Sequence, residues 1–382
     1  MKILFCLNSL YHIGGSERVW IDRVNYLAQK TNYQIFIITT DQNKKKIFYE
    51  LNSRVKIFDL RINYFEDKKL NFFKRILRFK HKQKIHLEKL KKEIIKLQPD
   101  IVIGHGTEEK WILPLIKGNF KIILEHHLEK NFLKKTAKNF LYKLKAFYFI
   151  NKEKKLINKY DKFLVLTEED KKEWNDEKIE VIYNPLSFYP KDFSKCENKR
   201  IISVGRLEKQ KGYDILIDIW NIISKKYLDW TLEIYGEGSE RENLQNKINK
   251  LRLGKSFLLK GAVKNIQDKY LESSIYVMTS RFEGFGMVLV EAMACGLPVI
   301  SFDCPCGPKD IIKNNEDGFI VKFGNIEKMA EKIEELILDE EKRKLFGKNG
   351  RENVQRFSQD RIMNQWIELY EKLYKDLRGK NK

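Results

Sequence analysis

Residues 2–24 read KILFCLNSLYHIGGSERVWIDRV, and the order of residue types within them decides the class of fold. The run KILFCL is apolar and of strand length. Gly14 and Gly15 follow, and Val19, Trp20, Ile21, Val24 and Leu27 then recur at the spacing of a helix with one apolar face. The order is strand, glycine turn, helix.

Working outward, further runs of strand type follow in YQIFIITT, DIVIGHG, KIILEHH, KFLVLT and IEVIYN, with helical patterns such as HLEKLKKEIIKLQ and FLYKLKAFYFINKEKKLINKY between them. After a polar segment from Tyr189 to Lys199 the pattern restarts. RIISVGR, WTLEIYG, SFLLKG, IYVMTS, LPVISF and GFIV alternate with helical stretches, and charged helices follow from Ile326. Strands alternating with helices imply a parallel sheet covered on both faces. The expectation is two doubly wound α/β domains, 1–187 and 188–360. In such sheets ligands bind beyond the carboxyl ends of the strands, where the glycine turns lie.

Composition agrees with a globular protein. The chain has 382 residues, 42% of them hydrophobic, which exceeds one ordinary core and suits two domains. No run of about 18 apolar residues occurs, and Asn8 and Ser9 interrupt the apolar start, so a cytoplasmic location is expected. Five cysteines in no framework pattern fit a reducing compartment, and the C-x-C of Cys304 and Cys306 lacks the second pair a metal site needs. The net charge of +21 is uneven: residues 1–187 hold 39 Lys and Arg against 23 Asp and Glu, whereas residues 188–382 hold 35 against 30.

Several residues carry candidate chemistry. Gly14-Gly15, Gly236-Glu237-Gly238 and Gly284-Phe285-Gly286 each follow a strand, and each turn either closes a chain reversal or holds a phosphate. Neither a complete dinucleotide fingerprint nor a P-loop is present. Arg206 directly follows a strand and Lys211 lies five residues later; two such cations on one pyrophosphate stabilise a departing diphosphate, although Lys209 is equally available by sequence. His126 and His127 end the run KIIL, where an imidazole either packs at a strand end or donates to a sugar hydroxyl. Glu283 and Glu291 flank the third glycine turn in SRFEGFGMVLVEAMACGLPVIS (280–301). Residues 130–163 contain 11 Lys against Glu153 and Asp161, interleaved with Phe132, Phe140, Tyr142, Phe147, Tyr148 and Phe149. That composition suits an anionic membrane surface, an ordinary amphipathic helix or, least of the three, nucleic acid.

Together GGSER (14–18), EHH (125–127), SVGRLEKQKG (203–212), YGEG (235–238), KGAV (260–263), the E-x7-E of residues 283–291 and GPKDII (307–312) resemble, in order and approximate spacing, the GT4 family of retaining glycosyltransferases. The resemblance implies a GT-B fold: two Rossmann-like domains facing a central cleft, with a C-terminal helix, here within 361–382, crossing back to the N-terminal domain. It implies that residues 1–187 bind the acceptor and 188–360 the nucleotide sugar. It further implies that Arg206 and Lys211 hold the diphosphate, that Glu283 meets donor-sugar hydroxyls and Glu291 the ribose, and that the backbone of Gly284, Phe285, Gly286, Met287 and Val288 meets sugar and phosphate. Gly14 and Gly15 would approach the diphosphate, Val263 would lie against the base, and His126, with His127 as second candidate, would contact the sugar near the reacting carbon.

The activity so implied is transfer of a hexose or N-acetylhexosamine from a UDP-sugar to a lipid-linked glycan, with retention and without a metal or other cofactor, by an enzyme peripheral to the cytoplasmic membrane. A soluble transferase acting on a small acceptor is the enzymatic alternative, and a basic nucleic-acid-binding protein the alternative of another class. The sequence departs from the family at Asp310, where Glu is usual, and at Ser16, where Ala is usual.

Overall fold

The computed structural model of the protein describes residues 1–11, 14–69, 72–105, 108–127, 130 and 140–379. The chain forms two compact units, Met1–Tyr183 with Asp360–Lys382, and Asn184–Gln359.

In the first unit, the described residues form a seven-stranded sheet of β1 (Lys2–Leu7), β2 (Gln34–Thr39), β3 (Lys56–Asp59), β4 (Ile101–His105), β5 (Lys121–His126), β6 (Lys162–Val165) and β7 (Ile179–Val181), in the order β3-β2-β1-β4-β5-β6-β7. Every pairing is parallel. The strand pleat explains why β1 is apolar at successive positions rather than alternate ones. Ile3, Phe5 and Leu7 pack with Trp20, Val24 and Leu27 of the helix Gly15–Lys30, while Leu4 and Cys6 join a separate cluster with Leu90, Ile94 and Leu156 on the other face. Both faces are covered, so from Ile3 to Leu7 every position is buried and apolar.

The last helix, Gln359–Gly379, buries Ile362, Met363, Trp366, Leu369, Tyr370 and Leu373 in the same cluster as Ile3 and Phe5. The C-terminal helix thus packs on the N-terminal sheet, as expected, because its apolar residues recur at helical spacing and find their core there.

Two details differ from the sequence expectation. β3 is an added edge strand; its residues are exposed or half-buried, so it lacks the dense apolar signal of the central strands. The helix ending in HLEKLKKEIIKL begins at Phe72 and runs 26 residues to Leu97; exposed cations such as Lys74, Arg75 and Arg78 in its first turns obscure the apolar periodicity there.

In the second unit, β8 (Arg200–Val204), β9 (Thr231–Tyr235), β10 (Phe257–Gly261), β11 (Ile275–Met278), β12 (Val299–Asp303) and β13 (Gly318–Lys322) form, among the described residues, a six-stranded parallel sheet in the order β10-β9-β8-β11-β12-β13. Connections leave β8 toward β9 and β10 on one side, and the chain returns to β11 on the other. The order reverses between β8 and β11, and ligands of such sheets bind at the carboxyl ends of the strands at a switch of this kind. The segments Gly205–Gly212 and Thr279–Gly286 leave the sheet there.

Candidate functional site

At the switch point of the second unit, backbone and side-chain hydrogen bonds lace the two exit segments together. Arg281 N donates to Gln210 O (2.7 Å), Gln210 Nε2 donates to Phe282 O (3.0 Å), and Thr279 Oγ1 donates to Gly212 O (3.0 Å). The Arg281 guanidinium also grips Asp214 through two bonds of 2.9 and 2.7 Å. Gly212 makes this approach possible: its φ is +67°, and a Cβ there would lie 2.0 Å from Thr279 O. No residue with a side chain fits without moving one segment off the other.

The lacing brings Lys211 to Glu283. Nζ donates to Oε1 at 2.7 Å, with both side chains largely buried, at 14% and 8% exposure. Ser280 Oγ, fully buried, donates to the same Oε1 at 2.6 Å, and Glu283 N donates to Pro305 O at 3.1 Å. Lys209, equal to Lys211 on sequence grounds, is exposed and takes part through its carbonyl, which accepts from Arg281 (2.7 Å). Arg206 is exposed and has no side-chain partner among the described residues. The two cations therefore differ: one is held against a carboxylate at the strand mouth, the other stands in solvent beside it in sequence.

Beyond Glu283 the chain passes Gly284 and Phe285 to Gly286, whose φ of +95° makes it the left-handed residue before the helix Met287–Ala294. Met287 and Val288 form its first turn. Glu291, one turn in, accepts from Tyr270 Oη at 3.4 Å, and burial together with the Glu291 charge pushes the Tyr270 phenol well up. Val263, two residues after β10, is 39% exposed. Asp310 lies in the short helix Pro308–Ile311.

In the first unit the pleat of β5 separates residues adjacent in sequence. Glu125 faces Arg23, with an ion pair of 2.6 Å between side chains 2% and 1% exposed. His126 faces the opposite side and is buried against Phe163 (ring centroids 6.0 Å apart, nearly parallel) and Trp174 (5.5 Å, edge-on). His127 lies on the Glu125 side, where its Nε2 is 3.0 Å from Glu125 Oε2 and its ring stacks on Trp20 at 5.2 Å. His105, at the end of β4, stands edge-on to His127 at 4.8 Å. Burial first, then the neighbouring imidazoles of His127 and His126 and the cations Lys110 and Arg23, hold its pKa well below the ordinary value. Burial pushes the Glu125 carboxyl up, but Arg23 and His127 outweigh it, and the group lies below the usual carboxylate range.

Gly14 is the extended residue before the 16-residue helix Gly15–Lys30. A Cβ on Gly14 would lie 2.4 Å from Glu17 Oε2, whereas among the described residues nothing lies within 4 Å of a Cβ on Gly15.

Sequence reasoning did not identify Ser280, Gln210, Arg23 or His105. Arg23 left a signal, as a cation within the apolar face of its helix; Ser280 left only its place just beyond a buried strand.

The helix Phe140–Ile157 buries Ala146, Ile150, Leu156 and Ile157, while Tyr142, Leu144, Phe147 and Tyr148 are 52–63% exposed. Phe132 of the basic stretch lies outside the described residues. Among the described residues no helix is long and apolar enough to cross a membrane.

Comparison with known proteins matches residues 13–187 to the family Glycosyltransferase Family 4 and residues 189–353 to Glycosyl transferases group 1. An uncharacterized glycosyltransferase of Haemophilus influenzae is 32% identical over 373 residues, covering 96% of this chain and 98% of that protein. The Campylobacter jejuni alpha-1,4-N-acetyl-D-galactosaminyltransferase named for GalNAc-alpha-(1->4)-GalNAc-alpha-(1->3)-diNAcBac-PP-undecaprenol is 25% identical, covering 97% of this chain and 98% of its own. Among solved structures, a Staphylococcus aureus TarM mutant crystallised with fondaparinux, alpha-GlcNAc-glycerol and UDP superposes with a TM-score of 0.75 at 19% identity, covering 98% of this chain and 99% of that one. At that identity the likeness establishes the two-domain GT-B fold and nothing finer.

Proposed function

We propose, from the premise that this chain belongs to the GT4 glycosyltransferases of the group 1 type, that it moves a hexose or N-acetylhexosamine from a UDP-sugar onto a lipid-linked glycan with retention of configuration, in surface polysaccharide or oligosaccharide assembly. The observation that carries the proposal is the buried Lys211–Glu283 pair at the switch point of the second unit, beside the start of the helix Met287–Ala294. A nucleotide sugar needs cations for its diphosphate and acceptors for its sugar hydroxyls within one small region. The switch point holds residues of both kinds.

In the proposed reaction Lys211 and Arg206 bind the diphosphate and stabilise the negative charge that grows on it as the glycosidic bond breaks. Glu283 accepts a hydrogen bond from a sugar hydroxyl, Glu291 from the ribose, and the backbone from Gly284 to Val288 lies along sugar and phosphate. Gly14 and Gly15 approach the diphosphate, Val263 flanks the base, and His126, or His127 as the second candidate, contacts the sugar. The acceptor hydroxyl attacks on the face the diphosphate leaves, and a phosphate oxygen takes its proton, so no separate carboxylate base is needed. The two cations take the place of a divalent ion, and no cofactor belongs to the proposal. Asn184–Gln359 then serves as the nucleotide-sugar unit and Met1–Tyr183 as the acceptor unit.

The donor reading draws support from the UDP bound to the TarM mutant, and the acceptor reading from the undecaprenol-linked glycan in the name of the Campylobacter relative. The exposed aromatic side chains of the helix Phe140–Ile157, in a lysine-rich segment, support a peripheral position on the inner face of the cytoplasmic membrane. A panel of nucleotide sugars, read by thermal shift and by slow donor hydrolysis, tests the donor assignment. Selective stabilisation and hydrolysis with one UDP-sugar is the expected result; a response confined to GDP- or ADP-sugars overturns it.

A further inference from the structure

We infer that Ser280 is a positioning residue of this transferase, which fixes the rotation of the Glu283 carboxylate so that one oxygen, Oε2, is reserved for the donor sugar. The inference rests on the proposed role of Glu283 and extends it to a side chain that makes no contact with substrate itself.

The two oxygens of Glu283 are not equivalent. Oε1 accepts from Lys211 Nζ at 2.7 Å and from Ser280 Oγ at 2.6 Å, while Oε2 has no side-chain or backbone partner among the described residues. Ser280 is fully buried and sits two residues beyond β11, with Thr279 clamped to Gly212 on one side of it and Arg281 to Gln210 on the other. Its backbone therefore cannot drift, and its hydroxyl has a fixed place. Glu283 is anchored at its own nitrogen by Pro305 O. With the backbone tied at both ends, the side-chain torsions of Glu283 are the remaining freedom, and the bonds to Oε1 restrict them, the Ser280 bond fixing which oxygen faces away from Lys211.

Lys211 alone cannot serve this purpose. In the proposed reaction its ammonium turns to the diphosphate and releases Oε1 at the moment orientation matters most. The Ser280 hydroxyl carries no charge, has no reason to follow the phosphate, and remains on Oε1. A charge-assisted hydrogen bond between a buried hydroxyl and a carboxylate is short and directional, as this one is. The carboxylate thus keeps its orientation through a cycle in which its cation leaves.

The test is a double-mutant cycle on the full chain with its own UDP-sugar, comparing Ser280→Ala, Glu283→Gln and both together. Ser280→Ala is expected to lower kcat about ten- to a hundredfold, the range set by loss of one hydrogen bond to a charged group. The donor KM should change less than threefold and the thermal midpoint little, and Ser280→Thr, which keeps the hydroxyl, should recover part of the rate. In the Glu283→Gln background the serine substitution should have almost no further effect, because a residue acting through Glu283 has nothing left to orient. Multiplying effects of the two substitutions, or wild-type kcat in Ser280→Ala while Glu283→Gln is impaired, overturn the inference. Wild-type kcat in Glu283→Gln instead overturns the role of Glu283, so the two failures are distinguishable.

Discussion

Replacing Arg23 by Met should unfold the first unit at a much lower temperature, and the deficit should shrink as pH falls. Arg23 is 1% exposed and reaches Glu125 at 2.6 Å, and its guanidinium lies 3.7 Å from the ring of Trp366 and 4.8 Å from that of Trp20. Methionine keeps most of the volume and removes the charge, which leaves a carboxylate 2% exposed with His127 as its remaining hydrogen-bond partner among the described residues. Breaking a buried pair in this way costs about 3–5 kcal/mol, and for a unit of this size each kcal/mol moves the midpoint by about 2–4 °C, so a fall of roughly 6–20 °C is expected.

The pH dependence has a definite sign. In the natural protein the depressed Glu125 pKa contributes stability that is present above the ordinary glutamate value of about 4.3 and is lost as pH falls through the folded value. Without Arg23 the burial that already pushes this carboxyl up dominates, so the variant's folded pKa lies above the unfolded one. The variant is then relatively better off at low pH, where Glu125 is protonated, and the gap between the two proteins narrows from pH 7 toward pH 4.5. Differential scanning calorimetry across that range is the assay. The double variant Arg23→Met/Glu125→Leu should recover most of the loss, because no buried charge remains. A shift under about 2 °C at pH 7, or a gap independent of pH, refutes the electrostatic account of this pair.

Glu283→Ala and Lys211→Ala should each lower turnover by about two to three powers of ten, the size of losing one charge-stabilising contact in a transition state. Circular dichroism spectra should stay unchanged, and wild-type rates in either variant would count against the assigned roles. Glu291→Ala should raise the donor dissociation constant about tenfold or more with little change in kcat, measured by isothermal titration; an unchanged constant removes the ribose contact. Phe147→Ser with Tyr148→Ser should weaken sedimentation with anionic phosphatidylglycerol vesicles at low salt without altering transfer to a soluble acceptor. Equal sedimentation of variant and natural protein would mean that this helix is not the membrane-facing element.

The architecture was legible because both sheets are covered on two faces. Strands such as KILFCL and IYVMTS then appear as dense apolar runs, and the intervening helices announce themselves by spacing, as in YDILIDIW. β3 escaped because an edge strand with half-buried side chains lacks that density. The proposed donor residues were legible as a set through the resemblance to the GT4 family, since the glycine turns, the two cations and the E-x7-E each have a bland reading when taken singly.

Local sequence, then, determined the two doubly wound units, and the resemblance of its motifs to the GT4 family supplied the returning helix and the list of residues from which a donor site would be built. Tertiary structure decided which of these residues meet. Lys211 rather than Lys209 pairs with Glu283, 72 positions away, because β8 and β11 are neighbours in the sheet and Gly212 lets their exit segments touch. His126 and His127 part company because the pleat of β5 sends one toward Trp174 and keeps the other beside Glu125. The Ser280 bond was beyond reach for the same reason: whether a serine after a strand packs idly or holds a carboxylate depends on the backbone path of Ser280 to Glu283, which segments distant in sequence impose.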